Sequence, residues 1–222
     1  MDTTIFEQVD GYIGQLLAPE DSALKNTLQS LASNNIDNAS ISPVQGKLLQ
    51  VLAKMCNAKN ILELGTLGGY STIWLARAVS QNGKVVSIEY SEEHALIAQN
   101  NIKNAGLENT VEIRVGNAMD ILPQISAEQR APFDMIFIDA DKPPYVEYFE
   151  WALKLARPGT IIVADNIIRN AKVLDANSTD EKVKGVQRFN TWLSNCTQVT
   201  ATILQTVGAK EYDGMAIAVV NH

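Results

Sequence analysis

Cysteine and histidine are nearly absent from this 222-residue chain, which holds only Cys56, Cys196, His94 and His222. So few ligands, so widely scattered, exclude a zinc constellation. The two thiols lie far apart in apolar company and are expected to be buried and free, as in a reducing compartment. No apolar run approaches the roughly 20 residues that a membrane-spanning helix needs. The opening Met1-Asp2-Thr3-Thr4-Ile5-Phe6-Glu7 lacks the basic start and apolar stretch of a secretory leader. The expected location is therefore cytoplasmic. Positive charge is also scarce, with 18 Lys and Arg against 25 Asp and Glu and a formal net charge of −7. That balance disfavours a nucleic-acid partner, because phosphate binding draws on Lys and Arg, although a local basic patch can survive a negative total. There is no internal repeat, no low-complexity segment and no Gly/Ser/Pro-rich linker.

What is present is an ordinary globular composition, long enough to bury a substantial core. Residues 1–57 read as a helical preface. Ile5, Val9, Ile13, Leu16 and Leu17 recur at helical spacing, and a second run extends from Ala23-Leu24 through Leu28 and Leu31 to about Asn34. Ser42-Pro43 then opens a third helix, with Leu48, Leu49, Leu52 and Met55 as its apolar face. From residue 58 onward strands and helices alternate, the signature of a parallel sheet covered on both faces. Strands are expected over 61–64, 84–89, 111–115, 132–138 and 160–164, with a closing pair at 199–204 and 215–220. Helices are expected over 71–80, 91–104, 144–156 and 180–195.

The stretch Asn60-Ile61-Leu62-Glu63-Leu64-Gly65-Thr66-Leu67-Gly68-Gly69-Tyr70-Ser71 reads as strand, glycine-rich turn and helix start. Such a turn can press backbone N–H groups against a ligand. A dinucleotide fingerprint requires glycine at the first, third and sixth places; counted from Gly65, this chain has Leu67 and Tyr70 at the later two. Glu63 would also repel a pyrophosphate and attract a ligand bearing an amino group and a sulfonium. S-adenosylmethionine (SAM) therefore fits better than NAD.

Glu-x-Gly-x-x-x-Gly-Tyr-Ser resembles the first motif of class I SAM-dependent methyltransferases. More narrowly, it is similar to that of the cation-dependent O-methyltransferases, which include the catechol and caffeoyl-CoA enzymes and their bacterial relatives. The resemblance spans about residues 38–220. It implies a Rossmann-like α/β fold with a seven-stranded, mostly parallel sheet in which one late strand runs antiparallel, and it implies a homodimer.

Open α/β sheets bind ligands beyond the carboxyl ends of their strands. Glu89 ends the second strand, where a carboxylate can accept both hydroxyls of a ribose. Asp139, Asp141 and Lys142 follow the strand ending at Ile138, and Asp165-Asn166 follow the next one. Adjacent strand ends lie about 4.8 Å apart, so Asp139, Asp165 and Asn166 can converge on one hard cation: Mg²⁺ first, or Ca²⁺ or Mn²⁺. In the resembling family the matching residues hold that cation, and the lysine matching Lys142 acts on the accepting hydroxyl. By the same resemblance Ile41, Gly65, Thr66, Gly69, Tyr70, Ser71, Ala118, Asp139 and Asp141 adjoin the cofactor with Glu63 and Glu89. Asn170 and Lys142 adjoin the substrate, and the loop 167–170 borders the pocket. Tyr212-Asp213 reads equally as a pocket contact or a plain turn.

The implied reaction is methyl transfer to a vicinal dihydroxy aromatic, whose two adjacent oxygens can chelate the cation. Two departures qualify this. The animal catechol enzyme has an aromatic wall where this chain has Asp141, and the CoA-binding segments of the caffeoyl-CoA enzymes are not identifiable. Three other readings stay open: methylation of a hydroxylated tRNA base, an NAD(P)-dependent oxidoreductase, and a non-catalytic SAM-binding protein.

Overall fold

The computed structural model describes residues 3–222, and side chains from Ile5 onward. Met1 and Asp2, the start of the segment read as lacking a leader, lie outside the described residues, and no helix among the rest is long and apolar enough to cross a membrane.

Three helices form the preface: α1 (Thr3–Leu17), α2 (Ser22–Ser33) and α3 (Pro43–Met55). α2 begins where the Asp21 carboxylate accepts the Leu24 N–H. α3 begins with a full capping box between Ser42 and Gln45 and a proline in its first turn. Seven strands follow, β1 (Asn60–Leu64), β2 (Lys84–Glu89), β3 (Val111–Val115), β4 (Met135–Ile138), β5 (Ile161–Ala164), β6 (Val199–Thr206) and β7 (Asp213–Val220). Between them lie α4 (Tyr70–Ala76), α5 (Glu92–Asn104), α6 (Ala118–Ala127), α7 (Tyr145–Leu155) and α8 (Glu181–Ser194).

The strand order is β3-β2-β1-β4-β5-β7-β6, with β7 antiparallel to both neighbours and every other pairing parallel. This is the class I methyltransferase sheet. Alternate strand residues feed opposite layers. Leu62, Leu64, Ile136 and Ile138 enter the core beneath α6–α8, whereas Ile61, Met135, Phe137 and Val163 enter the core shared with Leu24 of α2 and Leu49 of α3. The direction of winding reverses between β1 and β4, and the crevice outside their carboxyl ends is the topological switch point.

Several sequence expectations need correction. α4 is shorter than 71–80, because Arg77 closes it and the chain turns before β2. β4 begins at Met135 rather than Pro132, which has no N–H to offer a ladder; Asp134, just before the strand, uses its carboxylate to accept the Lys59 and Asn60 N–H groups. α6 was not foreseen; Pro123 interrupts its pattern, yet Asn117 caps it and Ile121, Leu122 and Ile125 are buried. Cys56 and Cys196 are free but half-buried. Met55 and the α1 residues Ile5, Leu16 and Leu17 face outward, with Met55 74% exposed and Leu17 67%.

Candidate active site

The glycine turn is built around Glu89. At the end of β2 its Oε2 accepts the backbone N–H groups of Thr66 (3.1 Å) and Leu67 (2.8 Å), and Oε1 accepts that of Ser91 (2.9 Å). Gly65 takes φ +94°, and a Cβ there would overlap the Asp139 carbonyl oxygen. The first turn and the acidic strand end are therefore packed backbone to backbone, a contact only glycine permits. The Asp139 N–H completes the join, donating to the Leu64 carbonyl at 2.8 Å.

Glu63 is fully buried beneath this turn. It accepts hydroxyls from Ser71 and Ser87, each at 2.6 Å, and from Thr72. Burial pushes its carboxyl up to about 7, against the pull of those hydroxyls. Its oxygens are thus spent on fixing the start of α4. The cavity wall is formed by Ser71 above it, not by Glu63, which was expected to face the ligand.

A cavity of about 630 Å³ opens at the switch point. It gathers Ile41, Gly65, Thr66, Tyr70 and Ser71 from the preface and the turn, with Glu89 and Ala118 from the next strand ends. On the other side it gathers Asp139, Asp141, Lys142 and Asn166. Gly69 caps α4 at φ +87° behind the wall, its Cβ position 3.5 Å from the Ala98 side chain. Asp165 is buried under Asn166 and accepts the Asn166 N–H at 2.7 Å. Asn170 is exposed and does not line the cavity; its N–H is bonded to the Tyr212 carbonyl at 3.0 Å.

The acidic end is crowded. Lys142, only 5% exposed, donates to Asp139 Oδ1 (3.0 Å) and to the Tyr145 hydroxyl (2.6 Å), which in turn donates to the Asp165 carbonyl (3.0 Å). Burial, reinforced by the charge of Asp139, pushes the Asp165 carboxyl up to about 8. Burial and the same two aspartates push the Tyr145 phenol well above its usual value, so it stays a neutral donor. An ammonium has three N–H donors, so two are engaged and one is left for a ligand.

Sequence reasoning missed four residues. Tyr145 and the cavity-lining Tyr148 were passed over as helix residues of α7. Asp213 is neither a pocket contact nor a plain turn; its carboxylate anchors the loop after β5 by accepting the Ile168 and Arg169 N–H groups. Asn190 of α8 donates to the Ile167 carbonyl at 2.9 Å.

The sheet order, the glycine turn and the carboxylate at the end of β2 define a class I SAM-dependent methyltransferase. The family is narrower. A model of the O-methyltransferase family matches residues 16–219, and the chain belongs to that family. A catechol O-methyltransferase of Niastella koreensis is 61% identical, covering 99% of this chain and 100% of its own. A catechol O-methyltransferase of Mycobacterium tuberculosis is 42% identical, covering 96% and 94%. Among solved structures, the O-methyltransferase from Bacillus cereus in complex with SAH superposes with a TM-score of 0.96 at 51% identity, covering 99% of this chain and 100% of that one. A Streptomyces achromogenes O-methyltransferase involved in tomaymycin synthesis, in complex with SAM, gives 0.96 at 44% identity, covering 100% of both chains.

Proposed function

We propose that the enzyme transfers the methyl group of SAM to one hydroxyl of a vicinal dihydroxy aromatic, with a divalent cation held by Asp139, Asp165 and Asn166. The observation that carries this reading is the single cavity with the Glu89-braced glycine turn at one end and Asp139, Lys142 and Asn166 at the other. Relatives named catechol O-methyltransferase support the acceptor class.

The donor set fits a hard cation. Among the described residues no group of three His, Cys, Asp or Glu could hold a metal alone. Two carboxylates and an amide oxygen instead make a partial set that leaves positions for water or substrate, as suits Mg²⁺, Ca²⁺ or Mn²⁺. Burial first, and then the charge of Asp139, raises the Asp165 carboxyl, and a bound cation would favour its ionised form. A bound cation would supply Lewis-acid polarisation of the acceptor's oxygens.

The chain's own residues do the rest. Glu89 would accept the ribose hydroxyls with the lone pairs not used by the turn, and Ser71 and the Thr66 region would border the methionine part of SAM. Lys142, fixed between Asp139 and Tyr145, aims its remaining position into the cavity, where it would hold or remove the acceptor's hydroxyl proton. Methyl transfer is then an in-line displacement whose rate depends on holding oxygen, carbon and sulfur aligned.

The outward apolar face of α1, with Ile5, Val9 and Tyr12 all about half exposed or more, supports a homodimer through the preface helices. The free thiols support work in a reducing compartment such as the cytoplasm. Against tRNA as acceptor, the cavity-rim cations Arg169 and Lys182 are interleaved with Asp141, Asp180 and Glu181 and form no basic face.

The test is methyl transfer from labelled SAM to a panel of catechols, with Mg²⁺ and then with EDTA. Transfer abolished by EDTA is expected. Transfer that survives EDTA would remove the cation from the reading, and SAM binding without turnover of any catechol would favour a hydroxylated tRNA base.

A further inference from the structure

Besides Lys142, the cavity wall carries two cations that the SAM and divalent-cation contacts proposed above do not use. Arg169 and Lys182 both line the cavity. Arg169 is half-buried, and its Nε is buried without a hydrogen-bond partner. A guanidinium in a cavity wall can still grip a planar anion through its terminal nitrogens. Its backbone is equally committed. Arg169 sits at φ +55°, followed by Asn170 and Ala171 at +56° and +64°, a conformation that non-glycine residues rarely hold.

That conformation is pinned by Asp213 Oδ1, which accepts the Ile168 and Arg169 N–H groups at 2.8 and 2.9 Å. Asp141 lines the same cavity but forms no ion pair with Arg169 within 4.0 Å among the described residues, and Asp180 is engaged elsewhere. It caps α8 by accepting the Lys182 N–H at 2.8 Å, and it forms no ion pair with Arg169 within 4.0 Å among the described residues. Arg169 therefore presents an anchored, unpaired charge three residues beyond Asn166, on the loop that also carries the acidic end.

On the reading that a vicinal diol binds at Asp139, Asp165 and Asn166, we propose that Arg169, assisted by Lys182, selects acceptors whose ring also bears a carboxylate. The diol would face the acidic end and the carboxylate would meet the guanidinium across the same cavity. A cationic side chain in that place would face two like charges, so amine-bearing catechols are disfavoured.

The experiment compares kcat/KM for three catechols of similar size: 3,4-dihydroxyphenylacetate, its methyl ester, and 3,4-dihydroxyphenethylamine. The wild-type enzyme should favour the acid over the ester by about tenfold or more, the scale of one charge-assisted hydrogen bond, with the amine last. The acid-to-ester ratio should fall toward one in Arg169→Gln, fall partway in Lys182→Gln, and shrink as salt is raised. Turnover of all three with a wild-type ratio near one overturns the proposal while leaving the catechol reading intact. A ratio unmoved by either substitution also overturns it. Failure to methylate any of the three overturns both. If Arg169→Gln does not fold, exposed Lys182 and the wild-type salt dependence still decide.

Discussion

Asp213 Oδ1 holds the backbone N–H of Arg169 at 2.9 Å across 44 positions of sequence. One carboxylate oxygen also accepts Ile168 and Gly214, so the loop after β5 hangs from the first residue of β7. Asp213→Ala leaves these buried donors without an acceptor and should cost about 2–3 kcal/mol. Thermal unfolding should shift down by several degrees. Methyl transfer should fall further than SAM affinity, because the loop borders the acidic end and not the glycine turn. Asp213→Asn keeps an oxygen in place and should recover much of the loss. Equal loss of SAM binding, measured by calorimetry, would count against this division.

Glu89 should be the residue on which SAM affinity depends most. Glu89→Ala removes the acceptor for three backbone N–H groups that shape the turn, together with the proposed ribose contact. The SAM dissociation constant should rise by about tenfold to a hundredfold, the scale of one to two charge-assisted hydrogen bonds. Glu89→Gln should also weaken binding, because its amide would turn donors toward donors. An unchanged constant in both would remove the ribose from this end of the cavity.

Gly65→Ala tests whether the two motifs are one construction. At φ +94° an added Cβ meets the backbone oxygen of Asp139, which cannot rotate away. A loss of roughly 2 kcal/mol or more is expected from strain and overlap together. Methyl transfer should fall with it, since Asp139 would be displaced. Denaturant unfolding of the variant beside wild type gives the answer.

The pH profile of stability should carry the mark of Glu63. Its carboxyl is raised from 4.5 to about 7 in the folded protein, so between those values the folded state binds more protons than the unfolded one. Stability from this group is fully present below pH 4.5 and is lost as pH rises toward 7. The loss amounts to about 3 kcal/mol at most. Glu63→Gln should flatten that part of the profile. A profile of unchanged slope in the variant would assign the pH dependence elsewhere.

The sheet and most of its helices were legible because their signals are local: alternation in the strands, Ser42-Pro43 and Ser91 at helix starts, Gly106 after a helix end. The site's polar strand ends were legible for the same reason, since a buried strand delivers its next residue to the crevice. The misses are long-range. Nothing near Asp213 says that it carries the loop at 167–169, and nothing near Glu63 says that three hydroxyls will enclose it. α6 was hidden by Pro123, which sits where its pattern would otherwise repeat. The face of α1 reads as apolar from its spacing and it points outward, because periodicity reports that a face is apolar and not what covers it.

Lys142 separates positioning from proton transfer. Its ammonium lies between Asp139 Oδ1 and the Tyr145 hydroxyl, both within hydrogen-bond distance, and is almost wholly buried. Lys142→Met removes the charge and the proton acceptor together, whereas Lys142→Arg keeps a cation that does not give up its proton. If Lys142 serves as the base, both variants should lose about 10²–10⁴ in kcat, with SAM affinity changed little. If Lys142 serves only to balance Asp139 and Asp165, Arg should retain most of the activity that Met loses. A deprotonated acceptor in solution should also rescue Lys142→Met, so the variant's rate should climb with pH more steeply than the wild-type rate. A rate in Lys142→Met that stays flat from pH 7 to about 9.5, below the ~10 of an ordinary phenol, would show that removing the acceptor's proton is not what the lysine supplies.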